Sequence, residues 1–215
     1  MEKFEPGKVS IYRNSYNGPD KYVNALMLGE FSPIKYASAL VLQEFLKYMA
    51  RKLLVDGTDK ERLSQVKLVR VSNQMVILIQ MFGTNVMKFE SLGETYLLKS
   101  WELFQTYGEN EFALLKRMAR VRAEKDFVTV KDYAHEDAKD LVLSERIHHS
   151  VLENVLRLLS SELDYETMMG FLKERLVGSK SRVIVEYGHY LSSKATLSKD
   201  AVFGNLEVTV HLKHI

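Results

Sequence analysis

Residues 75–82, MVILIQMF, are the longest uncharged apolar run in the chain. The run is far too short to cross a bilayer, and Asn73-Gln74 before it and Gly83 after it are turn residues. A near-continuous apolar strand of this kind belongs in the middle of a sheet, covered on both faces. The preceding segment, VKLVRVS (66–72), is the natural antiparallel partner across a two-residue turn at Asn73-Gln74.

A similar unit precedes it. GKVSIYR (7–13) and YVNALMLGEF (22–31) read as two strands around NSYNGPD, where Gly18 tolerates positive φ and Pro19 fixes its own. Each pair of strands is followed by a helix, so the two units form a candidate internal repeat. Ser32 and Pro33 open the first helix as N-cap and first-turn proline, and the helix runs to Gly57 with Ile34, Val41, Leu42, Phe45, Met49 and Leu53 on its apolar face. Ser91 and Glu94 have capping-box spacing and place the start of the second helix, which ends near Gly108 with Leu97, Trp101 and Phe104 on one face.

Further helices are expected over 110–125, 144–163 and 165–178, the last capped by Asp164 and closed by Gly178. FVTV (127–130) reads as a short strand, and RVIVEYGHYL (182–191) as a longer one. In NLEVTVHLKHI (205–215), Leu206, Val208, Val210 and Leu212 alternate with Glu207, Thr209, His211 and Lys213, as in a half-solvated strand of an antiparallel sheet. The fold class is therefore α+β: antiparallel sheet from N-terminal hairpins and C-terminal strands, packed against about five helices. At 215 residues a single domain is expected, with a possible subdomain boundary in the polar connector near 131–143.

Chemistry is sparsely signalled. The absence of cysteine excludes disulfides, thiol catalysis and thiolate zinc sites, and suits the cytoplasm. The first ten residues carry no apolar stretch of signal-peptide type, and no membrane partner is expected. No nucleophile elbow, P-loop or dinucleotide fingerprint occurs, and neither a catalytic residue nor a cofactor is assigned. His148 and His149 are adjacent, hence about 100° apart on a helix, and cannot share one ion. His135 lies among Asp132, Glu136, Asp137 and Asp140, an acidic connector that could serve a metal-dependent phosphodiesterase only with a further acid on the sheet.

The aromatic and basic residues suggest more. YRNSYNGPDKY (12–22) sets Tyr12, Tyr16 and Tyr22 beside Arg13 and Lys21, and rings next to cations can stack bases and hold phosphates. EYGHY (186–190) offers a second such cluster. On the helix over 110–125, Lys116, Arg117 and Arg120 share one side, with Phe112, Leu114, Leu115, Met118, Ala119 and Val121 on the other. The leading expectation is a non-enzymatic protein binding single-stranded RNA or DNA, such as an accessory protein of a virus, phage or mobile element. Its contacts would be Tyr12, Arg13, Tyr16, Lys21, Tyr22, Lys116, Arg117 and Arg120. The net charge of +2 is low for that role. The alternative is a self-associating structural or assembly protein, a homo-oligomer without nucleic-acid contact, using an open strand edge and adaptable methionines.

Overall fold

The computed structural model describes residues 8–15, 20–54, 62–71, 73–83, 86–126, 151–177, 182–188 and 207–213. The elements in chain order are β1 (Lys8–Ser15), β2 (Asp20–Glu30), α1 (Pro33–Leu54), β3 (Arg62–Val71), β4 (Gln74–Gly83), α2 (Val86–Phe104) and α3 (Glu109–Asp126). They are followed by α4 (Val151–Arg157), α5 (Tyr165–Leu172), β5 (Arg182–Gly188) and β6 (Glu207–Lys213). α4 and α5 each run on into one wide π-helical turn, Leu158–Glu162 and Lys173–Val177. The expected strand at 127–130, the connector at 131–143 and the histidines at 135, 148 and 149 lie outside the described residues.

The α+β class holds, but the sheet is a single mixed one, not an antiparallel one. Its six strands run in the order β3-β4-β2-β5-β1-β6. β1 lies between β5 and β6 and is parallel to both, whereas β2 is antiparallel to β4 and β5, and β3 to β4. The last strand is thus parallel to its neighbour and not antiparallel as expected, because the alternation of its sequence fixes faces and says nothing of direction.

The stretch YRNSYNGPDKY does not close a hairpin. β1 and β2 run in opposite senses, but β5 is inserted between them and hydrogen-bonds to each. Turn residues dictate a reversal without dictating which strand fills the gap. Strands flanking an inserted one are about 9.6 Å apart, and the links from Ser15 to Asp20 reach up to roughly 17 Å. The intended repeat therefore fails at its first unit. The second hairpin does form: Val71 pairs with Gln74, so Gln74 belongs to the strand and the reversal falls one position earlier than expected.

Helices cover one face of the sheet. Val9, Ile11, Tyr22, Leu26, Leu28, Ile77, Ile79 and Ile184 meet Ala37, Val41, Leu42, Phe45 and Met49 of α1 and Phe89, Leu97 and Phe104 of α2 in one core. α1 begins as expected, with the Ser32 hydroxyl accepting from the Lys35 amide. α2 begins earlier than expected, at Val86, so Ser91 and Glu94 lie inside it and are not its cap. α3 packs on α1 and on the α4 turn, forming an outer helical layer. At the corner between α2 and α3, the Tyr165 hydroxyl bridges the carbonyls of Phe104 and Tyr107, and the rings of Phe45, Phe104, Tyr107, Phe112 and Tyr165 pack together. Asp164 caps α5 as expected: its carboxylate accepts from the Thr167 amide at 2.6 Å, and that bond holds its pKa below the usual range.

Candidate functional site

Two features stand out on the sheet, one on each face. On the helix-covered face, β5 turns Arg182, Ile184 and Glu186 inward, and β1 sets Arg13 directly beside Glu186. α2 lies above them and contributes Glu90 and Glu94 at i, i+4 spacing. Arg13 binds Glu186 Oε2 through Nε at 3.0 Å and Glu90 Oε1 through Nη2 at 2.8 Å. Arg182 pairs with Glu94, its Nη2 lying 3.1 Å from Oε2. Arg13, Arg182, Glu90 and Glu186 are all buried.

Burial by itself would pull the Arg13 guanidinium down. Its hydrogen bond to Glu90 and the charges of Glu90 and Glu186 outweigh that and hold its pKa above the ordinary value. For Arg182 desolvation wins, pushing it down to about 10, still charged at neutral pH. Tyr22 packs beside the cluster, accepting a hydrogen bond from Asn24 Nδ2 at 3.3 Å, and burial raises its phenol well above the usual range. Each carboxylate here is engaged by an arginine, and the cluster is closed to a substrate. Its chemistry is that of a clamp fixing α2 to the β1–β5 pair. Among the described residues, no group of three or more His, Cys, Asp or Glu is arranged to hold a metal ion.

The opposite face carries Val183, Val185 and Tyr187 of β5, Val23, Ala25 and Met27 of β2, Val76 and Leu78 of β4, and Tyr12 of β1. All are half-buried except Val76, which is nearly covered. Register makes them contiguous: Val23 pairs with Val185, Ala25 with Val183 and Leu78, Met27 with Val76, and Tyr12 with Val185. Gln65, Lys67 and Gln80 border this apolar stripe at one side, and Ser10, Thr209 and His211 at the other. Tyr12 and His211 stack, with ring centroids 4.7 Å apart and planes 10° apart.

The residues expected to bind nucleic acid do not converge. Arg13 and Tyr22 are corrections: both are interior, Arg13 locked between carboxylates and Tyr22 fully covered by the core. Tyr16 lies outside the described residues. Tyr12 and Lys21 do reach the outer sheet face, Lys21 sitting over the Phe82 ring with its nitrogen 5.9 Å from the centroid. Lys116, Arg117 and Arg120 lie on α3, beyond α1 on the far side of the sheet. Two of these three bind the protein itself: Lys116 donates to the Leu163 carbonyl at 2.9 Å, and Arg120 contacts Glu124 and Ser160.

Sequence reading missed the buried cluster, though a signal exists. In RVIVEY the two alternating faces are Arg/Ile/Glu and Val/Val/Tyr, and apolarity alone sends the second inward. The presence of one cation and one anion at i and i+4 of the same face is what permits the opposite choice, because each can be paired.

No family model and no curated protein matches the chain. Among solved structures, the fold is similar to that of pitrilysin, with a TM-score of 0.71 over 98% of this chain at 11% identity. This chain spans only 22% of the pitrilysin chain. At that identity the likeness concerns the fold alone. Among the described residues, no helix is long and apolar enough to cross a membrane.

Proposed function

We propose that the chain is a non-enzymatic assembly domain that associates with a second copy through the outer face of its sheet. The observation that carries this is the contiguous apolar stripe over β4, β2, β5 and β1, left half-exposed on a sheet whose β5-β1-β6 part is parallel. Parallel strands are as a rule covered on both faces. Four strands about 4.8 Å apart and seven residues rising about 3.3 Å each give the stripe on the order of 440 Å², and the bordering strands β3 and β6 bring the whole face to about 650 Å², against the ~800 Å² that each partner contributes to a standard interface. Support of a weaker kind comes from size: in pitrilysin a unit of this fold is part of a chain several times longer.

Light scattering across a hundredfold concentration range tests the proposal. The parent chain should pass from monomer to dimer, and Val185→Lys and Leu78→Lys should hold it monomeric while keeping its circular dichroism. A parent that stays monomeric throughout would refute self-association.

A second reading keeps nucleic acid as the ligand, favoured by the Tyr12–His211 stack and the Lys21–Tyr187 pair sharing that same face. Fluorescence anisotropy with single-stranded RNA, single-stranded DNA and duplex probes at several salt concentrations separates the two. Affinity that falls steeply with salt and is lost in Tyr12→Ala supports this second reading. Absence of binding at low salt removes it.

A further inference from the structure

The six-stranded sheet ends in two edges, β3 on one side and β6 on the other. An edge strand turns one row of backbone N–H and C=O groups away from its sheet, and another strand can bind that row. The two edges differ in charge. β3 carries Arg62, Lys67 and Arg70 and no acidic residue, so pairing it with a second β3 brings only cations together. β6 carries one acid, Glu207, at its first position and one lysine, Lys213, at its last. Among the described residues, β6 pairs with β1 alone.

The strand EVTVHLK is complementary to itself when reversed about Val210. Two copies laid antiparallel there set Glu207 opposite Lys213, Val208 opposite Leu212, Thr209 opposite His211, and Val210 opposite Val210. These are an opposite-charge pair, a polar pair and two apolar ones, all favourable across a ladder. Moving the register by two residues loses the charge pair and shortens the ladder, and moving it by one turns a strand over. The faces also agree. Register with β1 places Val208 and Val210 beside Val9 and Ile11, which belong to the core. It places Thr209 and His211, both exposed, beside Ser10 and Tyr12 on the outer face, where His211 stacks on Tyr12. A two-fold axis perpendicular to the sheet joins core to core and outer face to outer face.

We propose that β6 pairs antiparallel with β6 of a second copy, in register about Val210, and that this joint links dimers formed through the outer face into larger assemblies. The linking of dimers rests on the outer-face reading above, whereas the joint itself does not. A seven-residue ladder supplies about six to eight backbone hydrogen bonds. One strand edge nevertheless falls well short of the ~800 Å² per partner of a standard interface. The joint is therefore weak between two monomers. It takes effect at concentrations above those of the monomer–dimer step, where each dimer presents two such edges.

Light scattering of the full chain, carried above the monomer–dimer range, reads the joint. The parent should grow beyond the dimer. Glu207→Lys and Lys213→Glu should each stop at the dimer, because like charges then face each other at both ends of the joint. An equimolar mixture of the two variants should regain the larger species, because every lysine end then meets an acidic one. That recovery also shows that neither variant has lost its fold. A parent that stops at the dimer, single variants that grow like the parent, or a mixture no larger than its components would overturn the joint and leave the outer-face dimer standing. A parent that stays monomeric removes the linking of dimers, and a cross-link then decides the joint alone. The chain has no cysteine of its own. Paired residues of antiparallel strands have Cα atoms about 4.5–5.5 Å apart, within the span of a disulfide. On oxidation, Val210→Cys should form a covalent dimer even in the Val185→Lys background. It should do so faster than Val71→Cys on the β3 edge, a position 54% exposed. Cross-linking at 210 that is no faster than at 71 would overturn the pairing.

Discussion

The buried clamp makes the sharpest demand on stability. Arg13→Met keeps the length and apolar stem of the side chain but removes the guanidinium that bridges Glu90 and Glu186, both about 1% exposed. Breaking a buried ion pair from one side costs about 3–5 kcal/mol, mostly through the carboxylates left without a counter-charge. For a chain of this size that corresponds to a fall in melting temperature of roughly 6–20 °C and, with a urea m-value near 2 kcal/mol/M, a midpoint lower by about 1.5–2.5 M. The assay is urea unfolding followed by circular dichroism and by fluorescence of Trp101, the one tryptophan, which sits on the helix that Arg13 anchors. Because the charges are buried, 1 M salt should leave the difference nearly unchanged. Adding Glu90→Gln and Glu186→Gln to Arg13→Met removes the orphaned charges and should recover most of the loss. An Arg13→Met variant within about 1 kcal/mol of the parent, or a triple variant no better than the single one, would refute the argument.

Other consequences are independent of the clamp. A Cβ at Gly93 would lie 2.8 Å from the Tyr22 hydroxyl and 3.4 Å from the ring. Gly93→Ala should therefore destabilise the chain despite the roughly 1 kcal/mol helix-propensity gain, and much less so in a Tyr22→Phe background; equal costs in the two backgrounds would refute the contact. Burial raises the phenols of Tyr22 and Tyr96, and pushes Tyr107 up to about 12, so the folded state keeps protons that the unfolded state releases from about pH 10 upward. Stability is accordingly full below pH 10 and falls above it. Arg182, lowered in the fold, works in the opposite sense between about 10 and its ordinary value, but is one group against three. Urea midpoints at pH 9 and pH 11 measure this, and a midpoint that does not fall would overturn the reasoning. The exposed Arg120–Glu124 pair should behave unlike the clamp: Arg120→Ala should cost only about 0.5 kcal/mol and lose that difference in high salt.

Much of the architecture was legible in the sequence because it follows from local rules. Ser32-Pro33 and Asp164 begin helices where their chemistry says, and the caps are hydrogen-bonded as expected. The β3–β4 hairpin was legible from two apolar runs separated by turn residues, though its register is one position off the expected turn. The misreadings arose where the deciding interaction is distant. Ser91 and Glu94 have a cap's spacing, yet Glu94 is held by Arg182 far along the chain, and α2 starts a turn earlier. The hairpin around Asn17-Gly18 is opened by β5, which enters the sheet from the other end of the sequence.

The orientation of β5 links these misreadings to the functional surfaces. Had RVIVEYG faced as apolarity suggests, the valines would sit under α2, and the outer face would carry Arg182 and Glu186. That sheet would be solvated on one side and would need no partner. The observed orientation does the reverse: it places two charges in the core, where Arg13 pairs with Glu186 and Glu94 with Arg182, and leaves Val183 and Val185 outside. Replacing a buried ion network with apolar side chains is often neutral or stabilising, so the clamp is not the cheapest way to hold α2. What it does specify is which face of β5 points outward. The same holds on α3, where small residues on the buried stripe leave Leu114, Met118 and Val121 outside. In both elements part of the inner face is charged or small, beside Ile184 on β5 and Phe112 and Leu115 on α3, while further large apolar side chains stand on the outer face. Such an arrangement leaves apolar area on the outer sheet face, on which the proposed self-association rests.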